Sequence, residues 1–412
     1  MLRFQLRSHQ AMLQILGFRA LVLQRRLRHI HPRGPTLKAL WPVHAPLDSD
    51  EGVALFVHTP RQLFRFDAKQ ITRMCGFFGL QPHMSLQNGH TKRLRNDWFF
   101  ALSLCVMVSD DRHKVGEFFG LYYEDVCKHY KHFLEIICAP KYDVLVNLFE
   151  HPNRAALLDQ RILTFADAIS KKSGIPEFMD VGDGGIVEVL RIYGFLDGTG
   201  CPLCRLGGDP IFQECCFDGH HHQHCLSALL VNLPNGLIGF SAKLQPGRKN
   251  DISVQKTCGI EKYHVFETLT SSGSTIHILK EDNPNTTSRS LDVSSVSMHF
   301  DLQLYGDKGM HKCARVVTPF NKNQVRLNQT LPLNEVNERM SAVRVSQEWG
   351  IKMVKTLFPL VKEPHRFWLE PVEYIWKAAC ILANLHCCFH SNQISQYFNV
   401  PPPPIEELFR LL

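Results

Sequence analysis

Four carboxylates from position 197 onward stand where predicted elements end: Asp197, Asp251, Asp307 and Glu348. Two like charges about 4 Å apart repel by ~4 kcal/mol at an effective dielectric near 20. Acids gathered at one point therefore need a cation or must hold protons. Hard oxygen donors with room left for water and phosphate suit Mg²⁺ or Mn²⁺. Two such ions can activate a water and stabilise the leaving oxygen of an in-line displacement at phosphorus. Taken singly, each acid also fits a solvated loop. The order is what points to phosphoryl transfer: an acid at a first strand, a hairpin, an acid at a later strand, an acid on the following helix.

The elements that must position these acids can be read in turn. Leu190–Thr199 (LRIYGFLDGT) is an apolar, β-prone run expected to deliver Asp197 to its tip and turn at Gly198. His224–Leu233 and Leu237–Leu244 flank Pro234-Asn235-Gly236, and Asn-Gly between apolar runs is a strong hairpin signal. A first strand ending in an acid and followed by such a hairpin is how a ribonuclease-H-like sheet begins. Gln245–Asp251 then leaves the hairpin and carries the second acid, with Arg248 and Lys249 beside it to meet phosphate. Leu302–Tyr305 predicts a short strand ending at Gly306-Asp307. Val336–Phe358 reads as a helix despite Gly350, with Arg344 and Glu348 four apart on one face and Met340, Val343 and Trp349 facing the sheet. Glu370–Cys388 predicts a further apolar helix. Residues 258–300, including Thr270–Thr275 and Asn283–Ser297, lack periodicity and read as loop or disorder.

Upstream, residues 56–169 read as helical. Trp98–Val108 is apolar but far short of the ~20 residues of a membrane span, so a buried helix is expected. Lys114–Phe119, a break at Gly120-Leu121 and a longer helix Tyr123–Ile137 fit a helix-turn-helix and equally a plain helical hairpin. In the second helix Val126, Tyr130, Phe133, Leu134 and Ile137 share the core side, with Lys128, His129, Lys131 and His132 mostly opposite. Residues 1–47 carry no acid but include Arg3, Arg7, Arg19, Arg25, Arg26, Arg28 and Arg33. Such a start suits a solvated tail, a basic arm for DNA or nuclear import, or an organelle transit peptide.

A net charge of +7 over 412 residues permits a nucleic-acid partner without requiring one. The 14 cysteines are too sparse for a disulfide scaffold and read as reduced thiols of an intracellular protein. Cys201, Cys204, Cys215, Cys216, His220, His221, His222, His224 and Cys225 crowd one region and admit a zinc site, although their spacings give no second regular pair.

Several motifs are found together along residues 98–412. They are Gly194–Thr199 with Pro202 and Cys204-Arg205; Phe217-Asp218-Gly219-His220 with His224; Leu233–Ile238; and Pro246–Asp251. Tyr305–Gly309, Asn337, Met340-Ser341, Val343-Arg344-Val345 and Glu348-Trp349 follow, and then Leu382-Ala383-Asn384 and Glu406-Glu407. As a set they resemble Harbinger-type DDE transposases and the nucleases derived from them. Met310 stands where that family has an aromatic, and Gly350-Ile351-Lys352 departs from its Glu-Trp-x-Phe-Gly helix. The resemblance implies a ribonuclease-H-like α/β fold, a mixed sheet flanked by helices. It implies Asp197, Asp307 and Glu348 as the triad and Asp251 as a fourth ligand of Mg²⁺ or Mn²⁺. It also implies DNA as substrate and a Myb-like DNA-binding partner protein.

The resulting expectation is a basic tail (1–55), a helical region with a candidate helix-turn-helix (56–169), and a linker or insertion (170–187). A DDE endonuclease domain (188–390) and a C-terminal tail (391–412) follow. The expected protein is a metal-dependent DNA endonuclease, nuclear with cytoplasmic as the alternative, a candidate homo-oligomer, and not a membrane protein. DNA contacts fall on Arg248, Lys249, Lys128 and Lys131. The competing expectation is an inactive, domesticated DNA-binding protein of the same descent.

Overall fold

The computed structural model describes residues 46–47, 63–84, 93–109, 111–175, 178–180, 186–188, 191–205, 207, 209–270, 273–280, 298–327, 333–366 and 371–412. The Arg-rich start and Asn283–Ser297 lie outside the described residues.

Apolar content dictates the first layer. Helix α1 (Ala68–Phe77) opens with a capping box in which Asp67 accepts from the Gln70 amide. Strands β1 (His83–Met84) and β2 (Leu94–Arg95) lead into α2 (Asn96–Ser109), apolar on every side and buried from Asp97 to Met107. Helix α3 (Arg112–Phe119) ends at Gly120, and α4 (Tyr123–Ile137) follows. The core side of α4 is as its periodicity predicts. His129, however, is fully buried with its ring edge-on to Phe99, because it follows Val126 by three residues and so shares that stripe. Lys128 and Lys131 do face solvent, each beside an acid of its own helix, Asp125 and Glu135. Helix α5 (Ile162–Ser173) runs into the stretch read as a linker, and a small hairpin, β3 (Phe178–Asp180) with β4 (Ile186–Glu188), stands within and just past it.

The second half is a mixed sheet with helices packed on it. Strand β5 (Ile192–Pro202) pairs antiparallel with β7 (Gln223–Asn232), whose outer neighbours are the short β6 (Phe217–Asp218), β8 (Ile238–Ser241) and β9 (Gln245–Pro246). Helix α6 (Pro210–Cys216) leads into β6, and α7 (Asp251–Cys258) follows β9. On the other side β5 pairs parallel with β12 (Met298–Gly306). Beyond β12 lie β10 (Tyr263–Thr270) and β11 (Gly273–Lys280), and β13 (Val316–Val317) also joins β12. The β7–β8 hairpin turns where Asn-Gly predicts, with Gly236 at φ +84°.

Two expectations are corrected. Tyr263–Thr270 and Gly273–Lys280 pair antiparallel rather than forming loop: the segments lie at the sheet's edge, where polar and apolar positions mix and periodicity is weak. Strand β5 does not stop at Asp197 but continues to Pro202, held by pairing to β7 from Phe195↔Asn232 to Pro202↔Cys225.

Helix α8 (Lys322–Leu327) precedes the long α9 (Leu333–Leu357), which crosses the sheet. A Cβ at Gly350 would stand 2.1 Å from Asn232 Nδ2, so the glycine is what lets α9 approach β7. Gln347 fixes that contact: its Oε1 accepts from Asn232 Nδ2 at 2.9 Å and its Nε2 donates to the Leu230 carbonyl at 3.1 Å. Helix α10 (Val372–His390) is buried along most of its length, and Asn384 completes the β8 edge by bonding both the Ile238 amide and carbonyl. Short helices α11 (Gln393–Phe398) and α12 (Ile405–Phe409) close the described chain. Among the described residues no helix is long and apolar enough to cross a membrane.

Candidate active site

Parallel pairing brings the first two acids abreast. Tyr305 lies opposite Phe195 and Gly306 opposite Leu196, so the next residues along the two strands are Asp307 and Asp197. Strand β12 ends there while β5 continues, which leaves Asp307 two-fifths exposed and Asp197 only one-fifth exposed. Helix α9 presents Arg344 and Glu348 to the same place. The Arg344 guanidinium lies 3.5 Å from Asp197 Oδ2, 3.8 Å from Asp307 Oδ1 and 3.7 Å from Glu348 Oε1. One cation thus faces three carboxylates and is close-paired with none.

Asp251 arrives from a different element. It is the first residue of α7, whose N-cap Asn250 accepts from the Ser253 amide at 2.9 Å. Its carboxylate packs against the bare backbone of Gly198, where a Cβ would come within 2.4 Å of Oδ1. The Asp-Gly pair that reads as a turn signal is here a strand position cleared for another acid.

The electrostatics follow from this crowding. Burial pushes the Asp197 carboxyl up to about 6, and Asp251 and Asp307 add to the rise, opposed by the Gly198 amide at 2.8 Å and by Arg344. Asp251 is also raised, first by burial and then by Asp307 and Asp218, with His221 and His220 opposing. Uncompensated acid charge that shares one region is a feature of functional sites.

The donor set fits a hard divalent cation, since every ligand-type atom at this point is a carboxylate oxygen. No three of the four acids bring their oxygens within 4.8 Å of one another, and Arg344 stands among three of them. Among the described residues the group that does come so close is Glu261, His311 and Cys313. There Glu261 Oε1 accepts from Gln255 at 2.7 Å and lies 3.0 Å from His311 Nδ1, while Gln255 also bonds the His311 backbone at both ends. This network ties α7, which carries Asp251, to the segment after Asp307. The Cys and His residues of 201–225 form no such group: Cys201, Cys216 and Cys225 are buried, and His221 pairs with Asp218 at 2.7 Å.

The residues expected to contact DNA are engaged with protein groups, Lys128 and Lys131 with acids of their own helix. Arg248 pairs with Glu214 at 2.5 Å and Lys249 donates to Gln245 Oε1 at 2.8 Å. Of the basic residues of α9, none of them expected as a DNA contact, two reach strand β5. Arg344 is one; the other is Lys355, which donates to Thr199 Oγ1 at 2.6 Å and to the Gly200 carbonyl at 3.0 Å. Their signal was available, because positions i, i+4 and i+11 (Arg344, Glu348, Lys355) fall on one helical face.

Residues 196–384 match the family model of the DDE superfamily endonucleases. The matched span begins one residue before Asp197 and ends at Asn384, so all four acids of the cluster and Arg344 lie within the endonuclease-like part. No curated protein and no solved structure matches the chain.

Proposed function

We propose that the protein is a divalent-metal-dependent DNA endonuclease of transposase descent, built on a ribonuclease-H-like sheet. The observation that carries this reading is the convergence of Asp197, Asp307 and Glu348 on Arg344 from three separate elements, with Asp251 beside them. The endonuclease family match over the same span supports it. Asp197, Asp307 and Glu348, assisted by Asp251, would hold Mg²⁺ or Mn²⁺. When bound, such ions supply the Lewis-acid charge that activates water and stabilises the departing oxygen.

The chain's own groups have definable tasks. Arg344 offsets part of the acid charge in the metal-free state and keeps the carboxylates from dispersing. Gly198 leaves space for Asp251 to approach Asp197. Gln347 and Gly350 fix the height of α9 over the sheet, and with it Arg344 and Glu348. In this reading the enzyme works in the nucleus with a DNA-binding partner protein.

The test is a nicking assay on supercoiled plasmid and duplex oligonucleotides, with Mn²⁺ or Mg²⁺ against EDTA. Cutting is expected only with metal. Asp197→Asn and Asp307→Asn should each lower it by at least about 10²–10³-fold, the scale of removing one preorganised electrostatic partner. Cutting that persists in Asp197→Asn sinks the assignment. Salt-sensitive DNA binding with no cutting in any metal would favour the inactive binding protein instead.

A further inference from the structure

Beyond Asp197, strand β5 runs on past a cavity of about 290 Å³ lined by Thr199, Gly200, His221, Gln223, Lys355 and Lys362, among others. Its far wall is α9 and the turn after it. Asp197 and Thr199 are two apart on the strand and so point to one side. There they meet Arg344 and Lys355, eleven apart on the helix.

The lysines that line this cavity are Lys355 and Lys362, while the nearby carboxylates lie at its edges, Asp251 against Gly198 and Asp218 bonded to His221. Lys355 is half-buried and bonds only neutral oxygens, Thr199 Oγ1 and the Gly200 carbonyl. Among the described residues no carboxylate pairs with it. Burial and Lys362 lower its proton affinity, opposed by Cys201 and Cys225. An ammonium has three donors, and two are used. Lys362 adds a second, exposed ammonium, and the Gln223 amide adds neutral donors. His221 is also present, but its Nδ1 is committed to Asp218. A half-buried lysine with no counter-ion carries a cost unless an anion joins it.

The anion's chemistry follows from its neighbours. The cavity begins at Gly198, one residue past Asp197, and its donors lie about 7 Å further along the strand by the rise of two extended residues. That is the order of spacing between successive phosphates of a nucleic-acid strand. The volume also admits more than a bare phosphate.

We propose that this cavity binds the phosphodiester adjacent to the one that is cut, on the same strand, with Lys355 and Lys362 as its cations. The proposal rests on the endonuclease reading for what is cut, but the anion site can be tested without any cutting. Lys355 acts as a positioning residue, setting the register of the strand over the acids.

The experiment uses the full chain carrying Asp197→Asn, in EDTA, with a fluorescent single-stranded oligothymidylate as probe and salt as the variable. Adding Lys355→Met should weaken binding several-fold and reduce the slope of log K against log[salt] by about 0.7, the value for one lost phosphate contact on a single strand. Lys355→Arg should restore the slope, and Lys171→Met, on the exposed side of α5, should leave it unchanged. The melting temperature of Lys355→Met should equal or exceed that of its parent, since a half-buried charge has been removed. An unchanged slope overturns the proposal, as does a loss of binding that merely tracks a fall in melting temperature. A third overturning result is that inorganic phosphate stabilises the parent but not Lys355→Met while oligothymidylate binding is unaffected, which would make the cavity a site for free anions. If no metal supports cutting but the slope falls as expected, the endonuclease reading fails and the phosphate site stands.

Discussion

Two arginines meet acids of the same sheet, Arg191 at the start of β5 and Arg344 from α9, and they do opposite things. Arg191, just before β5, pairs with Glu267 of β10, and both side chains are almost wholly enclosed, at 5% and 7% exposure. Ser274 also donates to Glu267, and the guanidinium lies over the Phe300 ring. Among the described residues this cation faces a single acid, and its charge is cancelled on the spot. Arg344 faces three acids at 3.5–3.8 Å with a fourth, Asp251, close by. Its single charge cannot cancel theirs. The first arrangement closes a fold; the second keeps a surplus that a divalent cation would answer.

The largest effect that separates the two is expected at the closed pair. Arg191→Met leaves Glu267 buried without its cation and should cost about 3–5 kcal/mol. Mn²⁺ should recover none of it in chemical denaturation. Recovery by Mn²⁺ would mean that the pair is not sealed and that Arg191 and Arg344 do not differ in kind.

Asp197 gives the next effect, with the opposite sign. Well below pH 3.8 its carboxyl is protonated whether the chain is folded or not, and no cost arises. As pH rises toward 6 the unfolded chain releases the proton while the fold retains it, so the native state binds more protons and stability falls with pH. From 3.8 to about 6 the penalty reaches roughly 3 kcal/mol at neutral pH. Asp197→Asn should therefore stabilise the metal-free protein by up to that amount at pH 7 and by only about 0.5 kcal/mol at pH 4. Urea unfolding at the two pH values checks it, and equal differences at both would contradict the site's electrostatics. A residue whose removal stabilises the fold while abolishing cutting is kept for function.

How much of this was legible follows the same division. The Asn-Gly hairpin, the long helix and its Arg344–Glu348 spacing are local patterns, and each is where the sequence puts it, whereas Asp197, expected at a strand's end, lies within β5. What was hidden depends on partners far along the chain. Gly198 reads as a turn but is a clearance for Asp251, 53 residues on by sequence number. Gly350 reads as a flaw in a helix but is the contact with Asn232. The β10–β11 hairpin was hidden because an edge segment need not alternate cleanly. Arg344 was visible as half of a helix pair; only the parallel register of β5 and β12 shows that it answers three acids at once.

Arg344→Met sharpens the comparison further. With its charge gone the metal-free cluster has no internal cation, and stability at pH 7 should fall by about 2 kcal/mol, less than for Arg191 because the acids remain partly wet. Here Mn²⁺ should restore the loss, by the mass-action stabilisation that any native-state ligand provides. Absence of rescue would place Arg344 with Arg191 as a purely structural cation.

The smallest effect is the most local. Gly198→Ala puts a methyl 2.4 Å from Asp251 Oδ1 and 3.0 Å from its Cγ. The backbone at Gly198 is an ordinary strand position, so alanine costs nothing in conformation; only the carboxylate must give way. Asp251 sits on the first turn of α7 and can swing outward, which spares the fold but moves the fourth acid away from Asp197. Metal affinity should then weaken by about 10–100-fold, the usual cost of disturbing a group that supports metal ligands, with stability changed by well under 1 kcal/mol. The Mn²⁺ concentration giving half-maximal cutting reads this directly. An unchanged requirement for Mn²⁺ would show that Asp251 lies near the acids without serving them, and would reduce the cluster to the three carboxylates that face Arg344.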